Sequence, residues 1–254
     1  MKEEAIDKRL KQAIYEAMDT GHKVFVAVLY GSQNYGLDTV DSDIDIRVVV
    51  LPTIDEVINR KPMVAGKIDH ADGITYITDI RTYINSIAKG SVNFLETLFT
   101  EHYVVNSCYL PEWNMLRNYA EDIALMNKRG VISSALGMIR SYEKAVFVES
   151  EKNKLTYNPK QLAMMLYYAL FLWKYINEEK YINCLKSSNN LSDIKSGKIK
   201  ISMSEASDLA ERCVAYSEKI HKSLTTCNFT QDAELYRKLN KIPEDIITRY
   251  IKES

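Results

Sequence analysis

Two carboxylates, Asp43 and Asp45, follow Ser32 by eleven and thirteen residues in the run Val24-Phe-Val-Ala-Val-Leu-Tyr-Gly-Ser-Gln-Asn-Tyr-Gly-Leu-Asp-Thr-Val-Asp-Ser-Asp-Ile-Asp-Ile-Arg-Val-Val-Val-Leu51. Strand residues two apart share a face, about 6.5–7 Å apart along the strand. Asp43 and Asp45 are therefore expected to converge while Ile44 and Ile46 point the other way. Two acids aimed together are costly unless a cation sits between them. Mg²⁺ (or Mn²⁺) suits such hard oxygen ligands, and Mg²⁺ commonly bridges a protein carboxylate and substrate phosphates. The Gly31-Ser32 turn offers backbone N–H groups and a hydroxyl, as phosphate-binding turns do. A metal site beside a phosphate cradle reads as a site for a nucleoside triphosphate, with Gly31 and Ser32 on the phosphates and Ser42 either orienting Asp43 or serving as a cap or turn residue.

The elements that must carry these residues follow from the hydrophobic pattern. Residues 24–30 read as a buried strand and 31–36 as a turn with one helical turn. Asp43 to Leu51 reads as a second strand, ended by Pro52. A helix is expected over 3–20, a short one capped by Thr53 over 54–59, and strands over 64–69 and 74–78 around the turn His70-Ala-Asp-Gly73. Asp79 caps a helix over 80–89 closed by Gly90, and a short helix covers 93–99. From Glu112 onward the pattern is helical, over 112–127, 131–150, 159–177, 204–223, 231–240 and a tail near 244–252. Polar breaks at 151–158 and 186–193 read as exposed loops. The fold class is α+β: a small mixed β-sheet core over 1–105, then a C-terminal helical bundle over 106–254.

Composition narrows the partners. A formal net charge of −1 over 254 residues leaves no global basic field to attract nucleic acid, so any RNA contact needs a local patch. Lys195, Lys198 and Lys200 read as a solvated loop cluster. Cys108, Cys184, Cys213 and Cys227 lie far apart and form no CxxC, which argues against a zinc site and fits a reducing cytoplasm. The four histidines show no ligand spacing. The charged start Met1-Lys-Glu-Glu-Ala-Ile lacks the apolar core of a signal peptide, and no apolar stretch reaches membrane-spanning length.

Gly31-Ser32 with Ser42-Asp-Ile-Asp45 resembles the nucleotidyltransferases of the DNA polymerase β superfamily. The string Gly31-Ser-Gln-Asn-Tyr-Gly-Leu-Asp-Thr39 looks most like the predicted nucleotidyltransferases of bacteria and phages related to the RNA-repair-pathway branch. Leu51-Pro52, Thr78-Asp-Ile-Arg81, Lys89-Gly-Ser-Val-Asn-Phe-Leu-Glu-Thr-Leu-Phe-Thr100 and Tyr157-Asn-Pro-Lys-Gln-Leu162 extend the resemblance over roughly residues 24 to 185.

The resemblance implies transfer of a nucleoside monophosphate from an NTP, ATP by expectation, to an RNA end, a protein or a small molecule, by metal-assisted phosphoryl transfer. It also implies a third acid on a neighbouring strand, whose position here is Tyr76. Asp69 is the candidate substitute, while Asp72 reads as a turn residue and Asp79 as a cap. Lys160 remains from the helical motif, as a phosphate ligand or as a solvated first-turn lysine, whereas the His and Arg that follow it in related proteins are Met164 and Tyr167 here. These departures admit an alternative, a catalytically degenerate nucleotide-binding sensor, sponge or regulatory module.

Overall fold

The structure, a computed structural model, describes residues 2–39, 42–149, 155–224 and 232–253. Val40, Asp41, Cys227, residues 150 and 231 of two expected helices and residues 151–154 of the first expected loop lie outside the described residues.

The fold is α+β, with the sheet in the N-terminal part and helices after it. Contacts divide the chain into two units, one formed by 1–33, 42–127 and 230–254, the other by 34–41 and 128–229.

The first unit opens with α1 (Lys2–Asp19), β1 (Val24–Tyr30) and β2 (Asp45–Val50). It continues through α2 (Ile54–Ile58), β3 (Ala65–His70), β4 (Gly73–Asp79), α3 (Ile80–Ala88), α4 (Val92–Leu95) and β5 (Tyr103–Val105) to α5 (Leu110–Asn118) and α6 (Ala120–Met126). Five strands form one mixed sheet in the order β3-β4-β2-β1-β5, with β2 and β4 parallel and the other pairs antiparallel. Ala27, Leu29, Ile46, Val48, Val50 and Ile77 on the sheet pack with Ile6, Leu10, Ala13 and Ala17 of α1 in one apolar cluster. Alternation along β2 then turns Asp45, Arg47 and Val49 to the opposite face. Thr53 and Glu56 form the reciprocal capping pair that starts α2, and Asp79 caps α3.

The second unit holds α7 (Lys128–Val146), the hairpin β6 (Phe147–Glu149) and β7 (Leu155–Tyr157), α8 (Pro159–Ile176), α9 (Tyr181–Leu185), α10 (Asn189–Lys195) and α11 (Met203–Leu224). Residues 34–39 join it. Tyr35 stacks on Tyr167 at 4.7 Å between ring centroids, Ser187 N–H donates to Tyr35 O at 2.8 Å, and Lys195 Nζ donates to Leu37 O at 3.0 Å. Lys195 is thus a tether, not a member of a solvated cluster. The final helix, α12 (Ala233–Glu253), belongs to the first unit and packs on α3.

Several local expectations change. The second strand begins at Asp45, so Asp43 precedes it. The short edge strand β5 and the hairpin β6–β7 are additional. The expected helix 112–127 is two helices meeting at Tyr119, and α10 occupies part of the expected 186–193 loop. The expected 231–240 helix and its tail are one helix running through Pro243.

The β3–β4 turn reaches back to the segment that leads into β2. Ile44 N–H donates to Asp72 O at 2.7 Å. Gly73 has φ +150°, and a Cβ there would stand 2.3 Å from Ile44 O. A side chain at this position must displace the backbone between the two acids, on top of a strained φ. Gly73→Ala is therefore expected to cost about 2–4 kcal/mol of stability, read as a lowered urea midpoint with an unchanged m-value.

Candidate nucleotide site

β1 ends at Tyr30, and Gly31 turns the chain at φ +88° into a single 3₁₀ turn, Ser32–Tyr35. Tyr30 lies opposite Asp45, the first residue of β2, in the antiparallel register. A Cβ on Gly31 would stand 3.5 Å from Asp45 Oδ2, so the bend and the carboxylate face the same small space. Asp45 Oδ1 accepts the Ile74 N–H at 3.1 Å, which fixes the carboxylate against β4. Asp43 is exposed in the segment before β2. Gln33 Nε2 donates to Asp43 O at 2.9 Å and to Ser42 O at 3.4 Å. The 3₁₀ turn thus grips the acidic segment from one side while Asp72 O grips Ile44 from the other. Ser32 and Ser42 are half-buried within this arrangement.

Asp69 sits on β3, opposite Ile74 and on the same face as Asp45, but β4 intervenes. Two strand spacings separate it from Asp45, about 9–10 Å. Its side chain is 69% exposed and pairs with Lys67 Nζ at 2.7 Å. Lys160 is exposed in the first turn of α8, in the second unit. Asp79 is fully buried and gripped by Arg81 Nε and Nη2 at 2.9 and 2.6 Å, and it caps α3. His70 lies 3.3 Å from Glu16 Oε2.

Tyr76, where the resemblance implies the third acid, lies beside Arg47 in the parallel β2–β4 register. The Arg47 guanidinium stands 3.9 Å from the Phe94 ring centroid, 4.9 Å from that of Tyr30 and 5.8 Å from that of Tyr76. Its Nη1 donates to Thr78 Oγ1 at 3.1 Å. Burial lowers the Arg47 pKa, and burial followed by the nearby Asp45 charge raises that of Tyr30. Arg47 is thus a cation held among aromatic faces beside Tyr76.

Beneath the bend lies Glu96, 1% exposed, whose Oε1 accepts the Gly31 N–H at 2.9 Å. Its Oε2 is buried without a hydrogen-bond partner. Burial lifts its pKa well above 4.5, and the single N–H bond opposes this only in part. Because the Gly31 N–H is already engaged, it is not among the donors that the turn presents to a phosphate.

Sequence reasoning passed over Arg47, Glu96, Gln33 and Gly73 as site-building residues. Arg47 did carry a signal, as a lone charge inside the apolar run Ile46-Arg-Val-Val-Val50. Among the described residues no group of three or more His, Cys, Asp or Glu could hold a metal ion. Mg²⁺ usually keeps waters and is held by one or two carboxylates together with substrate phosphates. Asp45, its Oδ2 set toward the bend, fits an ion that arrives with a nucleotide, and Asp43 is exposed two residues before it.

A mixed sheet whose glycine bend meets the acid opening the next strand is the arrangement of polymerase β-type nucleotidyltransferases. The model of the RNA repair pathway DNA polymerase beta family, RlaP, matches residues 2–165, and the chain belongs to that family. A search of the curated proteins finds no match.

Glu96 has a pH signature. An acid whose folded pKa is raised binds more protons folded than unfolded, so stability falls as pH rises between the two values. Its contribution is fully present below about 4.5 and is lost as pH climbs from there toward the raised folded value. Glu96→Gln is expected to remove that decline, read as a flatter dependence of unfolding free energy on pH than in the wild type.

Proposed function

We propose that this chain transfers a nucleoside monophosphate from an NTP, ATP first among candidates, to an acceptor hydroxyl. The observation that carries this reading is the approach of the Gly31 bend to the Asp45 carboxylate, with the would-be Cβ of the glycine 3.5 Å from Oδ2. The bend at Gly31 leaves room for the phosphates, Ser32 and Ser42 receive them, and Asp43 and Asp45 hold the Mg²⁺ or Mn²⁺ that comes with them. The ion supplies charge neutralisation on the triphosphate and stabilises the charge that develops at the α-phosphorus. Asp45 is pre-set for this by its bond to the Ile74 N–H, and Asp43 by the backbone grip of Gln33 on its segment. Lys160 is proposed as a further phosphate ligand, and Asp69 as the acid that serves the acceptor. The family description favours an RNA end as acceptor. The net charge of −1 asks that such an end be held by local contacts and not by a broad basic field. The separated cysteines suit a reducing cytoplasm, and among the described residues no helix is long and apolar enough to cross a membrane.

A second reading, nucleotide binding without transfer, is favoured by one observation. Tyr76, beside Arg47, stands where the resemblance implies the third acid, and Asp69 stands two strands away in an ion pair with Lys67. Such a chain would be a sensor, a sponge or a regulatory module. Labelled NTPs with Mg²⁺ and RNA, protein or small-molecule acceptors separate the readings. Transfer is expected to release pyrophosphate, and Asp43→Asn is expected to lower that release by about a hundredfold or more. Metal-dependent nucleotide binding with no release from any acceptor would instead establish the second reading.

A further inference from the structure

The least expected group in the first unit is a carboxyl buried under the bend. Glu96 lies in the 3₁₀ segment Glu96–Leu98 after α4, among the buried side chains of Leu95, Thr97 and Leu98. It is 65 residues from Gly31 in sequence, and among the described residues its one hydrogen bond is from the Gly31 N–H. An acid placed there without a charged partner is destabilising unless it does something that an apolar residue could not. What it does locally is plain: it accepts the backbone N–H of a residue held at φ +88°, where only glycine is unstrained.

We propose that Glu96 is a positioning residue for the triphosphate, anchoring Gly31 from below so that the bend keeps the shape in which phosphate oxygens lie beside Asp45. The inference rests on the nucleotide reading of the site given above. It adds how the bend is held and why an uncharged acceptor, not an apolar side chain, does the holding. An ionised carboxylate so close to a triphosphate would repel it, and burial disfavours that ionised form. A neutral carboxyl still accepts the N–H through its carbonyl oxygen and adds no negative charge. The amide of glutamine matches it in both respects, whereas methionine fills similar space without an acceptor of comparable strength.

The test compares wild type, Glu96→Gln and Glu96→Met by calorimetric binding of a non-hydrolysable ATP analogue and of AMP, each with Mg²⁺. Wild type and Glu96→Gln are expected to agree within about threefold, and Glu96→Met to lose about tenfold of its preference for the triphosphate over AMP. An equal loss for both ligands would mark a merely structural role and overturn the proposal, as would Glu96→Gln behaving like Glu96→Met. A wild-type preference retained in Glu96→Met would overturn the proposal and leave the nucleotide reading standing. Failure of wild type to bind the analogue would overturn both. Hydrogen exchange at the Gly31 amide of the wild type tests the anchor whatever the fate of Glu96→Met: slow exchange is expected, and exchange as fast as at the exposed Gly36 would overturn the proposal.

Discussion

A carboxylate can be held against a turn of backbone only where the turn carries no side chain and the carboxylate cannot swing away. Both conditions meet at Asp45. One oxygen is tied to the Ile74 N–H, and the other faces Gly31 across a gap that a larger residue would occupy. Much of the first unit bears on this geometry. The antiparallel β1–β2 pair sets Tyr30 opposite Asp45, and parallel β4 supplies the N–H that fixes the carboxylate. Gly73 allows the β3–β4 turn to come close enough for Asp72 to hold Ile44. The cluster between α1 and the sheet keeps these strands in register, since a slip by one residue would turn Asp45 toward the apolar side.

Charge in this neighbourhood is arranged in layers. Asp43 is exposed, Asp45 is half-buried, and Glu96 is fully buried beneath the bend. Along the same face, Arg47 is enclosed by Tyr30, Tyr76 and Phe94, where its positive charge is felt through a poorly screening medium. Arg47 follows Asp45 by two residues, so the strand period alone sets acid and base on one side. In the proposed function, the negative groups nearest solvent are the ones that share a divalent ion with the nucleotide.

Much of this was legible in the chain. The strand before Gly31, the turn after it, the cap at Thr53, the cap at Asp79 and the hairpin signal at Asp72-Gly73 are short-range patterns, and the structure carries each of them. What escaped depends on distant partners. Nothing near Glu96 announces that it will meet Gly31, since the surrounding residues read only as a short helix. Tyr76 could be named as the occupant of the acid's position, but its packing around Arg47 comes from strand pairing. The start of β2 was misjudged because Ser42-Asp-Ile-Asp45 alternates like a strand. The β3–β4 turn instead takes the Ile44 N–H for Asp72 before any ladder begins. The pairs β1–β5 and β6–β7 involve three-residue strands, too short for a periodic signal.

The first unit is discontinuous: α12 returns to α3 after residues 128–229 have built a different unit. During synthesis the sheet and its glycine bend therefore emerge long before the helix that covers α3 exists. Until then that side of α3 exposes apolar surface to anything able to bind it. A fragment ending after α6 would carry every residue of the bend and both acids yet lack this cover. Its failure to stay soluble would report the missing helix and say nothing about the chemistry of the bend.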